Sequence, residues 1–180
     1  MIVVAILLGI ISWTFFEYLI HRFLGHKKRA NNPITKEHHR HHAEGGYFAP
    51  VWGKLLLAVM VLMVLTTIIG LPFGWNYGFA YSLGLTAMYL LYEVLHKRAH
   101  THAPLLPYGK HIRLHHFHHH FRNPKVNHGV TTRFWDLMFN TLEIPEQVKV
   151  PRKMALSWLV DGSGRVLPPY ESDYVLVGQI

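Results

Sequence analysis

The chain has 180 residues, half of them hydrophobic and only 16% charged, and it contains no cysteine. A soluble domain usually has about 25% charged residues, so the composition favours a membrane protein, and the missing cysteines exclude disulfides, thiolate nucleophiles and cysteine-ligated zinc. The formal net charge is +8, but basic residues flank the apolar stretches and no nucleic-acid-binding motif is visible, so no nucleic-acid partner is expected.

The first apolar stretch, residues 1–20, has one charged residue, Glu17. It is long enough to cross a hydrocarbon core as a helix. Because it lacks a basic start and a small-residue cleavage site, we expect a retained spanning helix and not a signal peptide. The stretch leads into His21 and His26, which are five residues apart and diverge on a straight α-helix. We predict that Gly25 ends the helix and lets His26 fold back.

The next histidines have the spacing H-x2-HH and comprise His38, His41 and His42. Residues i, i+3 and i+4 share one face of an α-helix. The spacing therefore predicts three imidazoles that point to one side of a helix.

Two more apolar stretches follow, at residues 51–71 and 77–95, and each is long enough to span a membrane. The linker at 70–76 is short, uncharged and rich in glycine and proline, which predicts a tight helical hairpin. Glu93 lies near the end of the third stretch. The three stretches together predict three spanning helices.

Two histidine groups follow the third stretch. His96 and His100 are four residues apart and share a helix face. The second group repeats the spacing H-x2-HH at His116, His119 and His120. The alternative register uses His115, His118 and His119; we prefer the first, and the leftover His39 and His111 are expected to be dispensable.

Basic clusters such as Lys27–Arg29 and Lys97–Arg98 lie on one side of the predicted spans. An excess of Lys and Arg marks the cytoplasmic side. We therefore expect the N-terminus outside the cell and the histidines and C-terminus in the cytoplasm. All sixteen histidines fall at or beyond the cytoplasmic ends of the spans, which indicates a single site.

Ten imidazoles suit two metal ions, since imidazole is a good ligand for iron, zinc, copper and nickel. The ten predicted ligands are His21, His26, His38, His41, His42, His96, His100, His116, His119 and His120. Ligating histidines usually donate their other N–H to an outer acceptor. Glu17, four residues before His21, and Glu93, three before His96, are candidates, and Asp136 is a third.

The region 104–140 is polar and aromatic, and is expected to be partly helical. We divide the chain into a membrane domain at residues 1–142 and a cytosolic tail at 143–180, expected to pack on the histidine-bearing part. Asp161-Gly162 predicts a small hairpin turn in this tail.

These motifs resemble the fatty acid hydroxylase/sterol desaturase superfamily. The histidine groups occur in the order of its four boxes, and the segment from His128 through GVTTRFWDLMFNT is similar to the ending that follows the last box. Asn140 stands where that ending usually has glycine. The resemblance covers residues 12–142.

The resemblance implies a dimetal site that uses iron and O2 to hydroxylate a lipid, with zinc as a substitute in purified protein. It also implies electrons from an external donor, here expected to be a separate ferredoxin or cytochrome b5-type protein. The expected fold is an all-α membrane bundle of three spanning helices, with a fourth left open, and a cytosolic helical cap that holds the site.

Three functions remain open from the sequence. The first is hydroxylation of a fatty acyl chain, free or in a sphingolipid. The second is hydroxylation or desaturation of a carotenoid or sterol at the same site. The third is metal transport or storage, although a transporter would place its ligands near the middle of the bilayer.

Overall fold

The computed structural model describes residues 1–26 and 32–178, so the basic cluster Lys27–Arg29 lies outside the described residues. Besides two 3-10 helices (Arg152–Met154 and Pro168–Tyr170), the helices and strands in chain order are α1 (Ile2–Leu19), a π-helix (Ile20–Gly25), α2 (Pro33–Glu44), α3 (Val51–Phe73), α4 (Trp75–Thr101), α5 (Pro107–Phe121), α6 (Phe134–Met138), β1 (Val148–Pro151) and β2 (Tyr174–Val177). The chain divides into two compact units, one of residues 1–17 and 48–94, the other of the described residues within 18–47 and 95–180.

The apolar helices account for the membrane character of the chain. Within the described ranges, three helices are long and apolar enough to cross a membrane: Ile2–Gly25, Val51–Phe73 and Trp75–Thr101. Most of their side chains are not buried by the protein itself, since only 11% of the apolar window of α3 is buried. This is the pattern expected for helices whose solvent is lipid, and it confirms the three predicted spans.

Glycines bring the helices of the first unit into backbone contact. A Cβ at Gly9 on α1 would lie 2.0 Å from the carbonyl oxygen of Tyr81 on α4, and one at Gly84 would lie 2.2 Å from that of Ile6. Small residues commonly permit such close approach between membrane helices. Only glycine fits at these positions without moving a helix.

The link between α3 and α4 is shorter than the predicted linker at 70–76. Helix α3 continues through Pro72 to Phe73, and Gly74 alone separates it from α4, with a φ of 102° that favours glycine. A Cβ at Gly78 would lie 2.4 Å from the carbonyl oxygen of Thr66. Helices α3 and α4 thus pack closely immediately after the turn, and this packing stabilises both helices up to Gly74.

Helix α1 changes its winding where the histidines begin. From Ile20 to Gly25 the backbone is a π-helix, and it ends at Gly25 as predicted, with His26 as the residue that follows. A π-helix bonds residue i to residue i+5, so residues five apart lie about one turn apart. The rings of His21 and His26 are accordingly 5.2 Å apart between centroids. The sequence predicted the helix end but not the π winding that aligns these two residues.

Helix α2 has well-defined ends. The Asn32 side chain accepts a hydrogen bond from the Thr35 amide at 2.9 Å, and Pro33 occupies the first turn, where its missing N–H costs nothing. The Thr35 hydroxyl donates to the Leu24 carbonyl at 2.6 Å, which ties the helix to the π-helix. Gly45 ends the helix with a φ of 63°.

The C-terminal residues pack on α5 within the second unit. Phe117 of α5 lies in a buried cluster with Val148, Val150 and Leu159, and the Trp158 indole donates to the Ala99 carbonyl of α4 at 3.1 Å. Strands β1 and β2 pair in parallel, with Val148 opposite Tyr174. The fold is therefore mostly helical, with a small sheet that the all-α expectation did not include, because its partners are distant in sequence.

The predicted turn at Asp161-Gly162 is confirmed. Val160 and Val166 form an antiparallel bridge across it. The Asp161 carboxylate accepts hydrogen bonds from the amides of Ser163 and Arg165, both at 2.9 Å, and so shapes the loop between the bridge residues.

Candidate metal centre

Histidines from α4, α5, α2 and the π-helix meet within the second unit in two groups of five. In each group one possible ligand atom per residue lies within 4.8 Å of all the others. Group one consists of His21, His26, His38, His42 and His119. Group two consists of His41, His96, His100, His116 and His120. The ten predicted residues are thus brought together, each H-x2-HH helix contributing to both groups.

The two groups are adjacent. The rings of His42 in group one and His120 in group two stack with centroids 3.9 Å apart and planes 5° from parallel. His41 of group two and His42 of group one are consecutive on α2, and so are His120 and His119 on α5. Each of these pairs supplies one member to each group, so the two helices fix the groups side by side.

Main-chain carbonyls orient several of the rings. Nδ1 of His21 donates to the His128 carbonyl at 2.5 Å, Nδ1 of His41 to the Tyr47 carbonyl at 2.7 Å, and Nδ1 of His119 to the Val126 carbonyl at 2.6 Å. A carbonyl can only accept, so these Nδ1 atoms carry the hydrogen. The lone pair of each neutral ring is then on Nε2, the atom left for a ligand.

The distances between nitrogens fit a shared ion. Nε2 of His26 lies 2.8 Å from Nε2 of His119 and 2.9 Å from Nε2 of His38, and in group two Nε2 of His100 and His116 are 2.9 Å apart. Two nitrogens about 2.1 Å from one ion and at right angles are about 3.0 Å apart. The Nε2 atoms are therefore spaced as expected for nitrogens that bind one metal ion.

Buried nitrogens support the same conclusion. Among the described residues, Nε2 of His21, Nε2 of His42 and both nitrogens of His120 are buried without a hydrogen-bond partner. Such atoms cost about 1–3 kcal/mol each when left unsatisfied. A metal ion is the partner that suits the unprotonated nitrogen of each of these neutral rings, because its lone pair binds iron, zinc, copper or nickel.

The environment keeps the imidazoles neutral. Burial, helped by neighbouring histidines, lowers the pKa of His26 to about 4 and that of His42 to about 2. The same causes lower the pKa of His116, His119 and His120 well below the usual range. At neutral pH these rings are uncharged, which is the form that binds metal.

The two histidines that only the alternative register uses have other partners. Nε2 of His115 donates to Asp136 at 3.0 Å, and Nε2 of His118 lies 2.8 Å from a Glu143 oxygen. The exposed His39 and His111 are outside both groups. The arrangement therefore separates His116, His119 and His120, which face the groups, from their neighbours on the same helix.

Glu17 and Glu93, the two glutamates predicted to accept hydrogen bonds from the ligands, lie in the first unit. Glu93 forms an ion pair with Lys54 in the first unit, where the buried Glu17 also lies. The acceptor of the His21 N–H is the carbonyl of His128, a residue that the sequence did not identify as a candidate for either shell of the site. No side-chain pattern could have identified it, because the interaction uses the backbone.

Asp136 acts on the loop that carries this carbonyl. The buried carboxylate accepts the amides of His128 and Gly129 at 2.8 Å, the Thr141 hydroxyl at 2.8 Å and the His115 ring. Burial raises the pKa of Asp136, but the hydrogen bonds from His115 and the two amides outweigh it and lower the pKa overall. The ionised carboxylate thus fixes the loop at residues 127–129.

Comparison with known proteins finds one family profile and several relatives that resemble this chain. The profile named fatty acid hydroxylase matches residues 6–141. The dihydroceramide fatty acyl 2-hydroxylase FAH1 of Arabidopsis thaliana is 33% identical over 168 residues, 84% of this chain and 65% of that protein. The fatty acid 2-hydroxylase of Mus musculus is 34% identical over 155 residues, 78% of this chain and 39% of that protein. The chain spans less than two thirds of either relative.

A solved structure has a similar fold. The chain described as full-length scs7p with only the hydroxylase domain visible matches with a TM-score of 0.57 and 23% identity, over 77% of this chain and 56% of that chain. At this identity the likeness concerns the fold alone.

Proposed function

Because this chain belongs to the fatty acid hydroxylase family, we propose that it hydroxylates the acyl chain of a lipid with O2 at a pair of metal ions. The observation that carries the proposal is the meeting of ten imidazoles in two adjacent groups of five. We assign the metal ions to these ten residues, with iron as the functional metal and zinc as a substitute. The relatives are named 2-hydroxylases, so the second carbon of the acyl chain is the proposed position.

The proposed reaction converts a lipid C–H bond, O2, two electrons and two protons into a lipid hydroxyl group and water. Bound iron would supply the reductive activation of O2 that insertion into an unactivated C–H bond requires. The electrons would come from a separate ferredoxin or cytochrome b5-type protein. The lipid substrate would reach the enzyme within the bilayer that the apolar helices occupy.

The residues of the site supply geometry and protonation state. The carbonyls of His128, Tyr47 and Val126 hold the rings of three ligands with Nε2 directed away from them. Burial keeps the imidazoles neutral and excludes water, which limits side reactions at the site. Neither role needs a carboxylate ligand, and both groups consist of histidine alone.

The two neighbouring histidines of α2 provide the test of function. His41 lies in group two and is buried, whereas His39 is exposed and in neither group. In lipid extracts of expressing cells, we expect a product heavier than its lipid precursor by one oxygen atom. His41→Ala should abolish this product and lower the bound metal, and His39→Ala should preserve both. Retained product in His41→Ala, or no new product with the unaltered chain, would contradict the proposal.

We further propose that the metal centre and the C-terminus face the cytoplasm, on the basis of the Lys and Arg bias of the loops. The chain has no cysteine, so a single cysteine at the exposed Lys153 reports the side of the tail. A membrane-impermeant thiol reagent should label it only after the membrane is opened. Labelling in intact cells would reverse the assignment.

A further inference from the structure

Helix α5 presents a second face beside the one that carries the metal-site histidines. Tyr108, His111, Ile112 and His115 follow the spacing i, i+3, i+4, i+7 and line a pocket of about 370 Å³. Residues 129–134 with Leu137, Leu142 and Ile144 form the opposite wall. This volume is at the lower end of ligand pockets, about 300–1,000 Å³.

Hydrogen bonds hold the pocket in shape. The Tyr108 hydroxyl donates to the Thr131 carbonyl at 2.5 Å across one side, and His115 donates to Asp136 at the base. A Cβ at Gly129 would lie 2.1 Å from the Thr132 carbonyl oxygen, so the tight wall at this point requires glycine. The pocket is therefore built into the fold.

Exposed apolar side chains line the pocket and continue along α6 as an interfacial patch. This interfacial patch consists of Tyr108, Phe134, Leu137, Met138, Phe139 and Ile144, with exposed fractions from 44% at Phe139 to 74% at Ile144. Contiguous exposed apolar surface of this kind usually marks a protein or membrane contact. Four of its members lie on α6 or directly after it.

The patch is continuous with a membrane-spanning helix. The ring of Phe139 stacks on that of Tyr18 at 5.3 Å, and the Tyr18 hydroxyl lies 3.0 Å from the Thr141 hydroxyl. Tyr18 belongs to the apolar helix Ile2–Gly25. Arg22 donates to the same Tyr18 hydroxyl at 2.6 Å. An arginine near the end of a span is typical of the boundary between acyl chains and headgroups, and the buried Tyr18 links Arg22 to the patch.

The charge at the pocket favours an anion. The lining contains the exposed Arg133 and, among the described residues, no acidic one. The nearby Asp136 carboxylate lies behind His115, where four hydrogen bonds already hold it. Arginine binds phosphate groups well, because its planar fork donates several hydrogen bonds. The apolar wall and the single cation together match a molecule with an acyl chain and a negative head.

We propose that the interfacial patch, beside Tyr18, lies in a membrane leaflet and that its pocket binds an anionic phospholipid, with part of an acyl chain between α5 and α6 and the headgroup at Arg133. The proposal goes beyond the proposed function and rests on membrane integration, not on the chemistry of the metal centre. In this proposal α6 contacts one leaflet without crossing the membrane, in addition to the three spanning helices.

Single cysteines test the position of the patch, since the chain has none of its own. A spin label at Leu137→Cys is compared in lipid nanodiscs with labels at Ile68→Cys on α3 and Lys153→Cys in the tail. We expect the label at 137 to collide more often with O2 than with a water-soluble nickel chelate, as the label at 68 does, whereas the label at 153 shows the reverse. Aqueous behaviour at 137 with bilayer behaviour at 68 would overturn the proposal, and aqueous behaviour at both would instead overturn membrane integration.

The headgroup assignment has its own test. A fluorophore on Leu137→Cys is quenched by brominated phosphatidylglycerol and, separately, by brominated phosphatidylcholine at equal mole fraction. We expect stronger quenching by the anionic lipid, and Arg133→Glu should bring the two to equality. The matched control Arg122→Glu, at an exposed cation after α5, should leave the preference unchanged. The assignment would be overturned if the two lipids quench equally in the protein with unaltered Arg133. It would also be overturned if Arg133→Glu and Arg122→Glu reduce the preference for the anionic lipid equally.

Discussion

Asp136 joins four hydrogen bonds at one buried carboxylate, and their effect reaches the metal site through the backbone. The His128 amide donates to Asp136, while the His128 carbonyl accepts from the ring of His21. The carboxylate thus positions a carbonyl that positions a ligand. The sequence predicted that Asp136 accepts a hydrogen bond directly from a ligand. In the structure it accepts one from the His128 amide, and the His128 carbonyl in turn contacts the predicted ligand His21.

We predict that Asp136→Asn weakens metal binding at group one. The amide would present a donor to the amides of His128 or Gly129, so the loop would shift and His21 would lose its fixed acceptor. Loss of an outer partner typically costs about 10–100-fold in metal affinity, and we expect a decrease in that range for one ion per chain. Metal content after dialysis against increasing chelator measures it.

The matched control is Asp161→Asn, because this carboxylate also accepts two loop amides but lies in the exposed turn of the tail. It should leave the metal content unchanged. Equal loss of both ions in Asp136→Asn, or equal effects of the two variants, would mean that the loop does not act specifically on group one.

At the level of elements, the π-helix performs a task that an α-helix cannot. Its winding places His21 and His26 in one group, and it ends at Gly25 against α2. A Cβ at Gly25 would lie 3.0 Å from the His38 ring. This contact is tighter than packed side chains tolerate without movement, and His38 belongs to the same group.

We predict that Gly25→Ala displaces the His38 ring and lowers the metal affinity of group one, while group two keeps its ion. Alanine favours helical backbone by about 1 kcal/mol over glycine, so a loss of metal would not arise from a weaker helix. Gly53→Ala is the control, because nothing lies within 4 Å of a Cβ at that position of α3. Unchanged metal retention in Gly25→Ala would show that His38 can move without cost.

Sequence periodicity predicted the elements better than their contacts. Hydropathy identified the three spans, and the spacing H-x2-HH placed His38, His41 and His42 on α2. The π winding was not predictable, since nothing in residues 20–25 distinguishes it from α-helix locally. The pairing of β1 with β2 also depends on contacts between segments more than 20 residues apart, which local patterns do not encode.

For the whole molecule, the buried histidines make the stability of the metal-free protein depend on pH. The folded-state pKa of His26 and His128 is about 4 and that of His42 about 2, against 6.5 for a free side chain. Below pH 6.5 the unfolded chain therefore binds protons that the folded chain does not. Linkage then requires the free energy of unfolding to fall as the pH is lowered from 6.5 towards 4.

We predict that the melting temperature of metal-free protein in nanodiscs decreases between about pH 7 and about pH 5. His39→Ala should show the same decrease, since this exposed residue lies outside both groups. Scanning calorimetry or intrinsic fluorescence measures the transition. A constant or rising melting temperature over this interval would mean that the imidazoles accept protons without unfolding the site.

The carbonyls that hold His21, His41 and His119 belong to residues 128, 47 and 126. Exchanging the side chain at any of these positions leaves the oxygen in place. Saturation mutagenesis would therefore find that Val126 tolerates substitution whereas His119 does not. The hydrogen bond by which the Val126 carbonyl orients His119 would not be detected. Only edits to the chain itself, such as an ester in place of an amide or a one-residue deletion, can expose how much the metal centre depends on its scaffold.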